Sequence, residues 1–116
     1  MFYDDRRPHN FALVYDLKAS LCDTTLKVGT NHLITHEAVY HYVRDALIEF
    51  GWTPRQHSDF EIYNEYLADI DPFLFVLHRD VHLEFLGYLP NHPDQLRYPN
   101  LFHDFRLYRH DVAASY

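Results

Sequence analysis

An α/β chain of the α+β kind, with two helices on one face of a small, mainly antiparallel sheet, is predicted by three features of this sequence. Phe11 to Tyr15 is an unbroken apolar and aromatic run that ends in a carboxylate, Asp16. Val39, Tyr42, Val43, Ala46, Leu47 and Phe50 recur at three- and four-residue steps, the apolar stripe of a helix that packs on a sheet. Leu101 to Arg109 sets Phe102, Asp104, Arg106 and Tyr108 against Leu101, His103, Phe105 and Leu107, the alternation of a strand.

Taken in order, residues 1–10 are polar and form a loose lead-in. Phe11 to Tyr15 fits a strand buried on both faces. Asp disfavours a strand interior, so Asp16 belongs at the strand's C-terminal rim, where ligands collect in open α/β sheets. The plainer role for it is to cap the following turn. Lys18 to Asn31 has no periodicity and makes a loop, long for so small a chain, which favours movement or contact. Thr35 is placed as N-cap of the first helix, Glu37 complements its dipole and Gly51 stands at C′.

Within Trp52 to Tyr63, Phe60 and Ile62 alternate with Asp59, Glu61 and Tyr63, and Pro54 implies an edge position or a kink near His57. Asp71-Pro72 marks the start of a second helix, with Asp as N-cap and Pro at N1. Phe73, Leu74, Val76, Leu77, Val81, Phe85 and Leu86 carry it to about Tyr88. A Pro-rich loop leads to the last strand, and the tail from His110 is frayed. Strand, helix, strand (bent or split), helix, strand, joined by right-handed crossovers, is a ferredoxin-like sandwich. At 116 residues it makes one domain, 1–116.

The formal charge of −7 argues against a broad basic face that coats nucleic acid. It leaves room for a local basic patch, for which Arg55, His57, Arg97, His103 and Arg109 are candidates. The single cysteine, Cys22, excludes an intramolecular disulfide and points to a reducing, cytoplasmic setting. No signal peptide and no apolar run of membrane-spanning length is visible, so no membrane is expected. Ten Tyr and nine Phe in a two-layer fold with one bare sheet face predict a homodimer, through that face or through the edge at residues 58–63.

Three segments share their order and spacing with a known family. They are Tyr15-Asp16-Leu17, then Gly51-Trp52 with Gln56-His57-Ser58-Asp59-Phe60, and Asp104-Phe105-Arg106-Leu107-Tyr108-Arg109. Together they resemble the virulence-associated protein D (VapD) family, ferredoxin-like endoribonucleases of toxin–antitoxin systems, and more distantly the small nuclease-like subunit of CRISPR adaptation complexes. The resemblance covers residues 11–17, 38–63 and 101–109. It implies an endoribonuclease acting on RNA, with a cognate antitoxin as partner and Asp16, Ser58 and Asp104 in the active site. Asp59 departs from the family's apolar residue, and the segments 18–35 and 88–100 are longer.

Cleaving an RNA phosphodiester needs a base or metal to activate the attacking oxygen, donors for the developing charge and an acid for the leaving group. Asp16 is the candidate base or ligand of a Mg2+ cofactor; Ser58 is a candidate for orienting a phosphate oxygen, or a turn serine. Asp104 and Arg106, two apart on one strand face, make an acid and phosphate clamp or a surface ion pair. Arg55, His57, Arg106 and Arg109 are the candidate substrate contacts, and His57 or His103 the acid–base groups of a metal-free route. His78 and His82 have the spacing of two zinc ligands, but solvated surface histidines are the expected reading. The alternative function is a catalytically silent dimeric module that binds a protein or a nucleic-acid duplex.

Overall fold

The computed structural model describes residues 7–56, 59–89 and 100–109. The chain runs β1 (His9–Leu17), α1 (His36–Phe50), β2 (Thr53–Pro54), β3 (Asp59–Glu65), α2 (Leu67–Phe85) and β4 (Phe102–Arg109). The strands form one sheet in the order β2-β3-β1-β4 with every neighbouring pair antiparallel. This is the expected ferredoxin-like sandwich. The segment at 52–63 is split: β2 and β3 form a hairpin closed by Arg55 N–H donating to Asp59 C=O at 2.8 Å, and Pro54 sits on the edge strand, where its missing donor does least harm.

β1 departs from expectation in two ways. It begins at His9, so His9 and Asn10 belong to the sheet rather than to the lead-in. It is also buried on one face only: Phe11, Leu13, Tyr15 and Leu17 are in the core, whereas Ala12 and Val14 are half-covered and Asp16 is exposed. An apolar run shows no period-two contrast when its outward positions are as small as Ala and Val. Beneath Asp16, the Tyr15 ring stacks on Phe60 (centroids 6.0 Å apart) and meets Phe102 edge-on at 5.8 Å.

α1 is as predicted. Thr35 Oγ1 accepts from Ala38 N–H at 3.0 Å, Val39, Val43 and Leu47 are buried, and Gly51 ends the helix at φ 124°. α2 starts five residues earlier than the Asp71-Pro72 signal, with Tyr66 rather than Asp71 as N-cap and Pro72 inside. Pro72 removes one hydrogen bond, to Ala68, whose position is exposed. Extending the helix in return buries Ile70 completely. The helix stops at Phe85, where Gly87 takes φ 80° and a β-carbon would stand 2.7 Å from Val28.

The long 18–35 segment packs on the rest of the fold. Leu26 bridges Leu33, Val28 N–H donates to Phe85 C=O at 3.1 Å and Lys27 Nζ pairs with Glu84 at 2.7 Å. Among the described residues, no helix is long and apolar enough to cross a membrane. Gly51 N–H donates to the carbonyls of Leu47 and Ile48 from a left-handed backbone that side chains resist. Gly51→Val is therefore expected to destabilise the fold by about 1 kcal/mol or more, read as a lower urea midpoint. An unchanged midpoint would refute that account of the helix end.

Candidate functional site

The candidate site is built where β1 ends beside β4. The two strands pair in register from Phe11 opposite Arg109 to Asp16 opposite Asp104, but the next step joins Leu17 to Phe102. One residue of β4, His103, is therefore extra, and it bulges. Two residues of β4, His103 and Asp104, oppose Asp16 alone. A bulge of this kind re-aims side chains. It also breaks the alternation predicted for 101–109: Leu101 and Phe102 are both buried, and Phe102 faces inward although it shares parity with Asp104.

Asp16, Leu17, Lys18, Ala19, Ser20 and His103 line an open cleft of about 420 Å³. It gathers a carboxylate, an imidazole, an ammonium and a hydroxyl. Asp104 faces Asp16 across the strands and pairs with Arg106 Nη2 at 2.8 Å. Two carboxylates in such opposition repel one another, and Arg106 offsets part of that repulsion. Among the described residues no group of three or more His, Cys, Asp or Glu is arranged to hold a metal ion. Asp16 and Asp104 supply two carboxylates, and Mg2+ is commonly held by one or two carboxylates together with substrate phosphates and waters. A magnesium ion thus fits only as a substrate-completed site.

The other candidates are spread out. Ser58, His57 and Arg97 lie outside the described residues. Arg55 lies at the β2–β3 hairpin, bonded to Glu61 and to the Tyr63 hydroxyl, two strands away from Asp16. Arg109 is at the opposite end of β4, across from Phe11. Asp59 pairs with Val14, two residues before Asp16, and is exposed. Lys18 and Ser20 had no sequence signal: they follow β1 in a turn with no periodicity.

The histidines of α2 overturn the expectation of solvated side chains. His82 is completely buried. Its Nε2 accepts from Leu101 N–H at 3.1 Å, which makes Nδ1 the protonated nitrogen that donates to His78 C=O at 2.7 Å. Asn100 Oδ1 lies 3.0 Å from the same Nε2 and accepts from Phe102 N–H at 2.9 Å. Leu101 C=O in turn accepts from Lys18 N–H at 2.8 Å. The ring therefore ties α2 to the start of β4 and, through Leu101, to the exit of β1. Both of its nitrogens are engaged, so the zinc-pair geometry is taken up by the fold. No family model matches the chain, and no curated protein or solved structure matches it significantly.

Burial holds both rings neutral, lowering His82 and bringing His78 down to about 4. The unfolded chain protonates these groups near pH 6.5, before the folded one does. Stability is thus complete above that pH and is lost as pH falls toward 4. Thermal unfolding is expected to show a loss of about 1–2 kcal/mol between pH 6.5 and 5. His78→Gln should flatten that slope; an equal slope would mean His78 does not contribute.

Proposed function

We propose that this chain is an endoribonuclease of the toxin–antitoxin kind, acting on RNA at the Asp16–His103 cleft. The observation that carries the reading is the β4 bulge, which sets His103 beside Asp16 where a regular strand would have turned it away. The segment resemblance supports it independently. In this reading a ribose 2′-hydroxyl gives its proton to Asp16 or to His103, and its oxygen attacks the adjacent phosphorus. The P–O5′ bond breaks, the 5′ oxygen takes a proton from the acid of the pair, and a 2′,3′-cyclic phosphate remains. Lys18 and Arg106 offer positive charge to the phosphorane oxygens, and Ser58 is the further candidate for orienting one of them. Magnesium held by Asp16 and Asp104, when bound with substrate, would supply added charge neutralisation there.

The silent binding module is the second reading. It is favoured by the Asp104–Arg106 pair, which with the Arg106 side chain 60% and the Asp104 side chain 31% exposed also makes an ordinary surface ion pair. A cognate antitoxin belongs to the first reading, whereas a homodimer, through the helix-free sheet face or the edge at residues 58–63, is common to both. That face presents half-covered Ala12 and Val14 amid charged residues. Sedimentation equilibrium should return twice 14.0 kDa at micromolar concentration; a monomer would exclude the dimer.

Digestion of end-labelled RNA with and without magnesium separates the two functions. Asp16→Asn keeps the shape, removes the basic group and relieves the opposition to Asp104, so folding stability should hold or rise slightly. Cleavage should fall at least about a hundredfold, the scale for one acid–base group, and His103→Gln should do the same. An Asp16→Asn protein that cleaves at the wild-type rate would remove Asp16 from the chemistry.

A further inference from the structure

On the other side of β4 a second concavity, of about 520 Å³, opens between α2 and the edge of the sheet. Asp71, Leu74, Phe75, His78 and Arg79 line it from one stripe of α2, at three- and four-residue steps. Phe105 lines it from β4, and Leu89 completes it. The stripe is aromatic and apolar along its middle with three polar groups around it. The Phe75 ring is 70% exposed although it is part of the wall. The His78 ring meets Phe105 edge-on at 5.5 Å and makes no hydrogen bond among the described residues.

The position of this pocket relative to the cleft matters as much as its lining. Asp104 and Phe105 are consecutive in β4, so their side chains leave the strand on opposite faces. One carries the carboxylate opposite Asp16; the other carries a ring into the pocket. Their Cα atoms are about 3.8 Å apart, and β4 is an edge strand of the described sheet, so a flexible chain crossing that edge reaches both sides. The lining also selects among occupants. An alkyl chain would offer no polar partner to Asp71 or His78, whereas a planar heteroaromatic ring offers a face to Phe75 and Phe105 and a polar edge to His78 and Asp71. Arg79, whose Nε pairs with Asp80 at 3.1 Å, adds positive charge at the rim.

We propose that this pocket receives a nucleobase of the RNA strand whose phosphodiester lies at Asp16 and His103. The base stacks on Phe75 against Phe105, presents its N–H donors to Asp71 and His78, and has its neighbouring phosphate met by Arg79. This rests on the RNA-cleavage reading above and adds where the strand passes and what holds its base. Guanosine 5′-monophosphate contains no internucleotide bond, so its binding to the full chain is read without catalysis. Titration followed by NMR should give saturable shifts at Leu74, His78 and Phe105. Phe75→Ala, at a largely solvent-exposed ring, should keep the fold and weaken that binding at least about fivefold. The same variant should raise KM for RNA more than it lowers kcat. Absence of shifts at those residues with millimolar nucleotide, or equal binding by Phe75→Ala, would overturn the pocket even in a chain that cleaves RNA. Nucleotide binding at the pocket in a chain that never cleaves RNA would instead sink the nuclease reading and uphold the pocket.

Discussion

The hydrogen bond from Leu101 N–H to the buried imidazole of His82 is the constraint on which the working end of this fold depends. A ring enclosed in the core must satisfy both nitrogens, because a buried polar group left unpaired is costly. His82 does so in one direction along its own helix and in the other toward the start of β4. The same Leu101 holds Lys18 by its carbonyl. Helix α2, the entry to β4 and the exit of β1 are thus one connected unit. The tautomer is set by the same arrangement: a proton on Nε2 would face the Leu101 amide.

The bulge follows from that anchoring. With Leu101 and Phe102 both packed inward and Arg109 held in register with Phe11, β4 has one residue too many for the length of β1 beside it. The surplus is taken up at His103, next to the polar rim where β1 ends. Ladder pairing is lost there for one residue, and a histidine gains a position beside an acid. Asp16 and Asp104 remain in direct opposition, an arrangement that folding alone would not favour. Arg106 moderates it from two residues along the same strand.

Rigidity beneath the cleft comes from rings. Tyr15, the neighbour of Asp16, is wedged among Phe60, Phe102, Tyr40 and Phe105. Its hydroxyl is buried without a hydrogen-bond partner among the described residues, and burial pushes its ionisation far above the ordinary range. Aromatic packing outweighs that loss and fixes the backbone from which the Asp16 side chain projects. Groups meant for chemistry are better held on such strands than on loops.

The sequence by itself determined what depends on local period and local chemistry. The stripe of α1, its Thr35 and Gly51 ends, the alternation of β3 and the order of elements were legible because each is written within a few residues. Asp16 and Asp104 could be named as candidates for the same reason. The start of α2 is not legible locally, because Pro72 is a strong local signal while burial of Ile70 is a tertiary gain that outweighs one lost hydrogen bond. The burial of His82 is not legible either, because an imidazole at helix spacing looks the same in sequence whether its partner is water or a distant amide. Which residues share the cleft was decided by the tertiary structure alone. His103 stands beside Asp16 because a one-residue mismatch between two strands, joined through most of the chain's length, had to be absorbed somewhere. Register between distant strands is set by packing, and no short stretch of sequence records it.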